Sequence, residues 1–447
     1  MKVTQYITSS NQNFTEYELK PAVQSGGVIT VEAAKSPLNR PFKGFGVAIT
    51  GASCYNLDKI PVNERTALLN DIYSQDGLGL SVARLTIGAS DYSAELYSYD
   101  DVENDVELKH FSIDRDKDYI IPIIKEILKI KPDLYLYASP WSPPGWMKTG
   151  GSLCGGYMRE EYIDCYANYI VKFLKAYEAE GIHISAVTPQ NEPETQQSGK
   201  MPACIWHPDI EARYIKVLRK KLAENGLDVK IWMHDHSFNG ADRVDWAIQN
   251  HDGLKEACDG IAFHYYDGCI EQTAFLLEKY PELELHFTEG GPRLYDNYAT
   301  DWCKWSIMMA KVLCNGYSSF TGWNLMLDEV GGPNIGPFFC GGLVTRDRVE
   351  GVLKYSGQYK ALEHFSKFLK NGAAIYPVSF KGSTSNMFSF PNVGQPIEGC
   401  MWKNTDGTMV MVLANQNKAK RQVQYKLGDT WWYIELLPDS VSTIVFK

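Results

Sequence analysis

The chain has 447 residues, of which 44% are hydrophobic and 22% are charged, so it is long and apolar enough to bury a large core. Its formal net charge of -10, from 44 basic and 54 acidic residues, comes without a basic run that would match a phosphate backbone. This composition excludes intrinsic disorder as the expected state and nucleic acid as an expected partner.

The first ten residues, Met1 to Ser10, lack the apolar core of a secretory signal. No stretch approaches the roughly 20 apolar residues of a membrane span. Ten cysteines are scattered without a C-x-x-C pair, which is typical of reduced core residues. These features predict a cytoplasmic protein without stable membrane insertion. A secreted form with a trimmed signal is the alternative, and the sequence indicates no oligomeric state.

Between residues 41 and 370, short β-branched or aromatic runs alternate with stretches of helical periodicity. The eight predicted strands are Phe45–Ile49, Val82–Thr86, Tyr135–Ala138, Ile184–Thr188, Lys230–His234, Gly260–Phe263, Glu284–Thr288 and Ser319–Gly322. The eight predicted helices are Val62–Tyr73, Asp118–Ile130, Glu160–Glu180, Ile210–Asn225, Arg243–Glu256, Gln272–Tyr280, Asp301–Asn315 and Gly357–Leu369. Eight such units predict an α/β fold, a closed (β/α)8 TIM barrel over residues 41–370.

Residues 371–447 have a different pattern, with short strands separated by turn residues. The predicted strands are Val378–Phe380, Met387–Phe390, Glu398–Trp402, Thr408–Ala414, Arg421–Tyr425, Thr430–Leu436 and Ser440–Phe446. This pattern predicts an all-β sandwich. The strand Val28–Ala33 precedes the barrel and has no position in it, so residues 1–40 are expected to contribute to the same sandwich.

Two glutamates follow predicted strands of the barrel. Glu192 comes after the fourth strand, in VTPQNEPE, and Glu289 comes after the seventh, in LHFTEGG. Parallel barrel strands all end at one face, where catalytic residues collect. Paired carboxylates can cleave a glycosidic bond, with retention at about 5–5.5 Å separation and inversion at about 6.5–9.5 Å. For Glu192 taken alone, a solvated glutamate at a strand end is the alternative.

Neighbouring residues fit this chemistry. Asn191 could donate to the sugar 2-hydroxyl, and Arg84 could keep Glu289 ionised, since a nearby cation lowers a carboxylate pKa. Glu192 is expected to remain protonated until it acts. Tyr266 could hydrogen-bond and orient Glu289. A structural role in the barrel is the alternative for Arg84.

A second cluster contains histidines. His234, Asp235 and His236 follow the fifth strand, and His264 closes the sixth. Three histidines at a barrel mouth could bind zinc. The favoured interpretation is that they form hydrogen bonds, with His264 orienting the surroundings of the nucleophile and the other three residues lining the fifth-strand side of the cleft, so no metal is predicted.

Six motifs in order along residues 41–340 carry a family resemblance. They are GFG at 44–46, ARLTIGASDY at 83–92, SPWSPPGWMKT at 139–149, QNEP at 190–193, FTE at 287–289, and WNL at 323–325 with GGPN at 331–334. Together they resemble glycoside hydrolase family 30, the glucosylceramidase-like family.

The resemblance implies a retaining double displacement without a cofactor, on a carbohydrate or glycoside substrate. It implies that Glu192 is the acid/base and Glu289 the nucleophile. Asp91 and Trp141 match residues that bind sugar hydroxyls, and Trp323 matches a residue that floors the sugar site. Asn191, Arg84 and Tyr266 match supporting positions.

Some alternatives stay open at this point. Trp141 and Trp323 could be core packing, and Asp91 could be a helix cap. Tyr265 departs from the His-Trp-Tyr pattern of glucosylceramidases, and residues 194–208 match no family string. The expected substrates are β-glucosides, glucosylceramide-like lipids or β-1,6-linked gluco-oligosaccharides, with soluble sugars preferred. The alternatives are xylosides or xylans, or a barrel that binds sugar without turnover.

Overall fold

The computed structural model describes residues 1–195, 199–382 and 397–447. Four strands come first: β1 Val3–Ser9, β2 Gln12–Leu19, β3 Pro21–Ala22 and β4 Ile29–Ala33. The next eight strands are β5 Gly44–Ile49, β6 Val82–Ile87, β7 Tyr135–Pro140, β8 Ala186–Val187, β9 Lys230–Ser237, β10 Gly260–His264, β11 Glu284–Glu289 and β12 Ser319–Gly322. These eight are parallel and close into a barrel, in which β12 pairs with β5.

Helices surround the barrel. They are α1 Gly51–Asp58, α2 Val62–Tyr73, α3 Ile120–Ile130, α4 Ile163–Ala179, α5 Pro208–Glu224, α6 Ala241–Asn250, α7 Leu254–Ala257, α8 Ala274–Lys279, α9 Trp302–Cys314 and α10 Gly357–Phe365. In α4 the buried residues recur every three or four positions, so one face of the helix packs on the barrel. α10 begins after Ser356, whose hydroxyl accepts the backbone N–H of Tyr359 and caps the first turn.

The interior of the barrel is built in layers, because side chains along a strand point inward at every second residue. An apolar layer contains Val82, Tyr137, Ala186, Trp232 and Ala262. Two residues further along four of these strands lie the buried polar side chains Arg84, Ser139, Thr188 and His264. The strands therefore present a polar layer above an apolar plug, at the face where they end.

Several predicted barrel elements differ in extent. The predicted helix Arg243–Glu256 is divided into α6 and α7, because Gly253 adopts the left-handed region at φ 77°. The predicted strand Ile184–Thr188 is reduced to the two residues of β8. The first part of the predicted helix Gln272–Tyr280 is a 3-10 turn. After β12 a small sheet forms from β13 Met326–Asp328, β14 Val344–Arg346 and β15 Leu353–Tyr355, which the sequence pattern did not predict.

The remaining strands are β16 Ala374–Lys381, β17 Ile397–Lys403, β18 Met409–Asn415, β19 Arg421–Leu427, β20 Thr430–Leu436 and β21 Ser440–Phe446. With β1 to β4 they form a ten-stranded, mostly antiparallel sheet in the order β2-β1-β21-β18-β17-β16-β4-β19-β20-β3. β16 joins its two halves, since Ala374–Pro377 pair with β17 and residues 378–381 pair with β4. The predicted strand Met387–Phe390 lies outside the described residues.

Residues from both halves of this sheet share one core, which includes Val31, Met411, Trp432 and Ile444. The predicted fold, a (β/α)8 barrel with an attached β-sandwich, is therefore confirmed. β1 and β2 were not predicted as strands, although they pair with each other and β1 pairs with β21.

The sandwich packs against the barrel through helices α9 and α10. The rings of Phe365 and Trp402 lie 6.1 Å apart between centroids, and the two nitrogens of buried His364 contact the hydroxyls of Thr443 and Thr8 at 2.8 Å. All ten cysteines lie in the described residues and are free thiols. Among the described helices, none is both long enough and apolar enough to cross a bilayer.

Candidate active site

Glu192 and Glu289 line the same cavity, which has a volume of about 330 Å³ at the face where the strands end. Glu289 is the last residue of β11, and Glu192 follows β8 in the left-handed region at φ 48°. His264 lies between them, with Nδ1 3.2 Å from Glu192 Oε1 and 3.9 Å from Glu289 Oε1. These two carboxylate oxygens are thus at most about 7 Å apart, which fits retention.

Arg84 donates hydrogen bonds to three side chains of the site. Its guanidinium donates to Glu289 Oε2 at 2.5 Å, to Asn191 Oδ1 at 2.8 Å and to Asp235 Oδ2 at 2.7 Å. The side chain is fully buried, and charge-assisted bonds of this kind are the strong ones. Arg84 therefore contacts Glu289 as predicted, and the same contact with Asn191 fixes that amide and leaves its NH₂ group for a substrate hydroxyl.

Asp235 is the centre of the polar layer, and its importance was missed from the sequence. Its two oxygens accept hydrogen bonds from Arg84, Ser139, Thr188, His264 and Thr288. The positive φ of 51° at Asp235 and a register shift between β9 and β10 turn its side chain inward. Its position near the end of the fifth barrel strand was the available signal, since the same rule identified Glu289.

His264 bridges the carboxylates of Glu192 and Asp235. Its Nδ1 lies 3.2 Å from Glu192 Oε1, and its Nε2 lies 3.0 Å from Asp235 Oδ1. Burial by itself would lower its pKa. The charge of Glu289 and the hydrogen bonds to Asp235 and Glu192 outweigh burial and raise the pKa of the imidazole to about 9. His264 is therefore an imidazolium at neutral pH, and both nitrogens donate.

The surroundings of the two glutamates shift their pKa values in opposite directions. Burial raises the pKa of Glu289, and the charges of His264 and Arg84 offset this only in part. Burial acts in the same direction on Glu192, but the hydrogen bond and charge of His264, with the charge of His236, lower its pKa. Arg84 acts on Glu289 in the predicted direction, whereas the imidazolium beside Glu192 opposes the predicted protonation of that residue. Strand patterns do not reveal this imidazolium.

Glu192, His236 and His264 place three possible metal-ligand atoms within 4.8 Å of one another. A histidine that binds a metal must be neutral and must offer a ring nitrogen with a free lone pair. Because His264 donates to carboxylates through both nitrogens, it could join a metal site only by losing its proton. The geometry thus favours the hydrogen-bonding interpretation of this cluster.

The other histidine predictions are corrected in part. His236 lines the cavity, and its Nε2 contacts Thr195 Oγ1 at 3.3 Å. His234 does not line the cavity: its Nε2 contacts the carbonyl of Ser237 at 3.1 Å, and its ring packs against Phe263. The bulge in β9 adds one residue to the alternation of side chains, so only His236 reaches the cavity although the two ring centroids are 5.9 Å apart.

Asp91, Trp141 and Trp323 form the inner part of the cavity. The two indole rings stack at 5.1 Å, and they cover the guanidinium of Arg84 at 4.8 Å and 5.5 Å. Asp91 Oδ1 is buried without a hydrogen-bond partner among the described residues, and burial followed by the charges of the glutamates raises its pKa. An unpaired acceptor at this position is suited to a sugar hydroxyl rather than to a helix cap.

Tyr266 lines the cavity as well, and burial raises its pKa. The predicted hydrogen bond from Tyr266 to Glu289 is not formed in the structure, and the ring instead lies edge-on to His264 at 6.1 Å. The ring of Tyr265 packs on that of Trp305, with centroids 5.3 Å apart, so Tyr266 rather than Tyr265 lines the cavity.

Comparisons with known proteins agree with this geometry. Residues 42–369 match the model of the glycosyl hydrolase family 30 TIM-barrel domain. An endo-1,6-β-D-glucanase of Neurospora crassa is 30% identical, covering 92% of this chain and 86% of its own length. The lysosomal acid glucosylceramidase of Mus musculus is 28% identical, covering 84% and 75%.

A solved endo-β1,6-glucanase structure superposes with a TM-score of 0.83 at 29% identity, covering 99% of both chains. The family match spans the barrel and both glutamates of the cavity. The chain belongs to glycosyl hydrolase family 30 and is a retaining β-glycosidase of that family.

Proposed function

We propose that this enzyme hydrolyses β-1,6-linked gluco-oligosaccharides, with Glu289 as the nucleophile and Glu192 as the acid/base. The observation that carries the assignment is the convergence of the two carboxylates on one buried cavity, with Arg84 on Glu289 and His264 on Glu192. The choice of linkage is supported by two relatives named as endo-1,6-β-glucanases, at 30% and 29% identity.

In the first step, the Glu289 carboxylate attacks the anomeric carbon while the bond to the leaving oxygen breaks and Glu192 gives that oxygen a proton. A glycosyl ester on Glu289 results. In the second step, Glu192 takes a proton from water, the water oxygen attacks the anomeric carbon, and Glu289 leaves as a carboxylate. Asn191 and Asp91 line the cavity, and they bind hydroxyls of the sugar.

The acid step needs a proton on Glu192, whose pKa is lowered by His264. We infer that the pair of His264 and Glu192 holds this proton jointly across their 3.2 Å contact. As the bond between the anomeric carbon and the glycosidic oxygen breaks, negative charge develops on that oxygen, so Glu192 gives it the proton and His264 passes its own proton to Glu192. His264 then serves as a positioning residue and a proton store for the acid.

Two variants test the roles. Glu289→Gln is expected to lose about 10⁴-fold or more of kcat/KM on every substrate. Glu192→Ala is expected to lose about 10²- to 10⁴-fold on a β-1,6-linked glucose disaccharide, and far less on dinitrophenyl β-glucoside, whose leaving group needs little protonation. Glu194→Gln is a matched control, since Glu194 is half-exposed, pairs with Arg243 and lies outside the cavity lining.

Comparable losses on both substrates in Glu192→Ala would contradict the acid assignment, and full activity in Glu289→Gln would contradict the nucleophile. The linkage is tested with β-1,6-, β-1,3- and β-1,4-linked glucose disaccharides and with nitrophenyl β-xyloside. The β-1,6 disaccharide is expected to have the highest kcat/KM. Faster cleavage of the xyloside would overturn the proposed substrate and leave the two glutamate roles intact.

A further inference from the structure

The outer part of the cavity has an exposed aromatic wall. Tyr295, Phe338 and Phe339 line it, and their exposed fractions are 69%, 41% and 62%. Large apolar side chains grouped in this way on a surface mark a binding site. Arg293 holds the ring of Tyr295 in place, since its Nη1 donates to the phenol oxygen at 3.1 Å and its guanidinium lies 5.9 Å from the ring centre.

A polar wall lines the same cavity. It contains Thr195 after β8, His236 and Ser237 at the end of β9, and Asp267 after β10. The aromatic residues come from the segments after β11 and after β13. Thr195 is in contact with His236, and Asp267 accepts the amide of Asn239 at 2.6 Å, so both side chains are held in position. The outer part of the cavity therefore has one aromatic wall and one polar wall.

The aromatic wall is more exposed to solvent than the residues of the inner cavity. Asp91, Trp141 and Trp323 are at most 5% exposed, so they surround a ring at the bottom. The aromatic wall is largely open to solvent and can contact only a group that projects outward from that ring. The polar wall lies on the side of Glu192, since His236 Nδ1 is 3.9 Å from Glu192 Oε1, and the group beside the acid/base is the leaving group.

Building on the proposed function, we propose that the two walls form a subsite for a second pyranose, the leaving-group sugar of the substrate. A pyranose has a face of C–H groups that can cover an aromatic ring and an edge of hydroxyls that can pair with the polar wall. An alkyl chain would satisfy the aromatic wall alone and would leave the oxygens of the polar wall without partners, which is unfavourable.

The kinetic test compares substrates with and without a leaving-group ring. Phe339→Ala and Ser237→Ala are expected to lower kcat/KM about 5- to 10-fold on the β-1,6-linked glucose disaccharide. On β-glucosyl fluoride, which has no such ring, both variants are expected to remain within about 2-fold of the wild type. Val349→Ala is the control, because Val349 is exposed and lies outside the cavity lining.

Equal losses on the fluoride would overturn the subsite, because they would mean that the substitutions disturb the inner cavity. A larger loss on octyl β-glucoside than on the disaccharide, with Ser237→Ala unaffected, would overturn the choice of a sugar. Unchanged kinetics on the disaccharide in both variants would overturn the proposal as a whole.

A binding measurement keeps the subsite testable if the proposed function itself fails. In the Glu289→Gln background, titration calorimetry is expected to show that adding Phe339→Ala weakens disaccharide binding about 5- to 10-fold and leaves glucose binding unchanged. Equal weakening of both sugars, or of neither, would refute the subsite. An inactive wild type with this selective weakening would refute the proposed hydrolysis alone.

Discussion

Replacing Asp235 by Asn tests the polar layer beneath the two glutamates. Oδ2 of Asp235 accepts from Arg84 at 2.7 Å, Ser139 at 2.9 Å and Thr188 at 2.7 Å, and Oδ1 accepts from His264 at 3.0 Å and Thr288 at 2.7 Å. The asparagine has nearly the same shape but no charge, and one of its two terminal atoms becomes an NH₂ donor. That donor must face either Arg84 or His264, both of which are donors themselves.

Arg84 cannot give up its proton, so the NH₂ group is expected to face His264, which then becomes neutral and accepts through Nε2. Breaking one side of a buried charge pair costs about 3–5 kcal/mol. Because Asn can still accept from Arg84, Ser139 and Thr188, we expect a loss of about 3 kcal/mol in the free energy of unfolding at pH 7.

The size of the loss should depend on pH. Because Arg84, His264 and the hydroxyl donors outweigh burial, the pKa of Asp235 is held well below its ordinary value. Its ionised form therefore stabilises the fold above about pH 4, and that contribution is lost as the pH falls further. The difference between wild type and Asp235→Asn should shrink below about pH 4.

Urea unfolding at pH 7 measures the stability, and a pH profile of kcat/KM on the β-1,6-linked disaccharide measures the protonation of His264. Asp133→Asn is the control, since Asp133 is an exposed aspartate paired only with Lys131 and its loss should stay within about 0.5 kcal/mol. A change below about 1 kcal/mol for Asp235→Asn, together with an unmoved alkaline limb, would refute the reasoning.

Two further substitutions test neighbouring parts of the site. The pKa of His264 is raised to about 9, so its proton is kept below that pH and lost as the pH rises through it. We expect His264→Gln to move the alkaline limb of kcat/KM from near pH 9 to lower pH, and an unmoved limb would argue against a proton stored beside Glu192. A Cβ added at Gly336 would meet Asp91 Cβ at 2.8 Å, so Gly336→Ala should lower kcat/KM about 10-fold by shifting the inner sugar site. Gly26→Ala, whose Cβ meets nothing within 4 Å, is the control, and equal kinetics in the two variants would contradict a role of Asp91 in binding.

The sequence by itself determined the architecture and the position of the two glutamates at the rim. Alternating strand and helix patterns predicted the barrel because the period of buried residues reports which faces of each element are covered. Glu192 and Glu289 then followed from one rule, since every parallel strand of a barrel ends at the same face. The order of the motifs along the chain indicated the family, because a family resemblance can be recognised without knowing distances between residues in space.

The tertiary structure alone decided how these residues share protons and what surrounds them. The inward position of Asp235 depends on a bulge in β9, and a bulge is set by pairing with the neighbouring strand. The imidazolium of His264 depends on three carboxylates from separate strands meeting around one ring. A pKa is fixed by burial and by charges within a few ångströms, so it follows from distances across the barrel that no local pattern along the chain encodes.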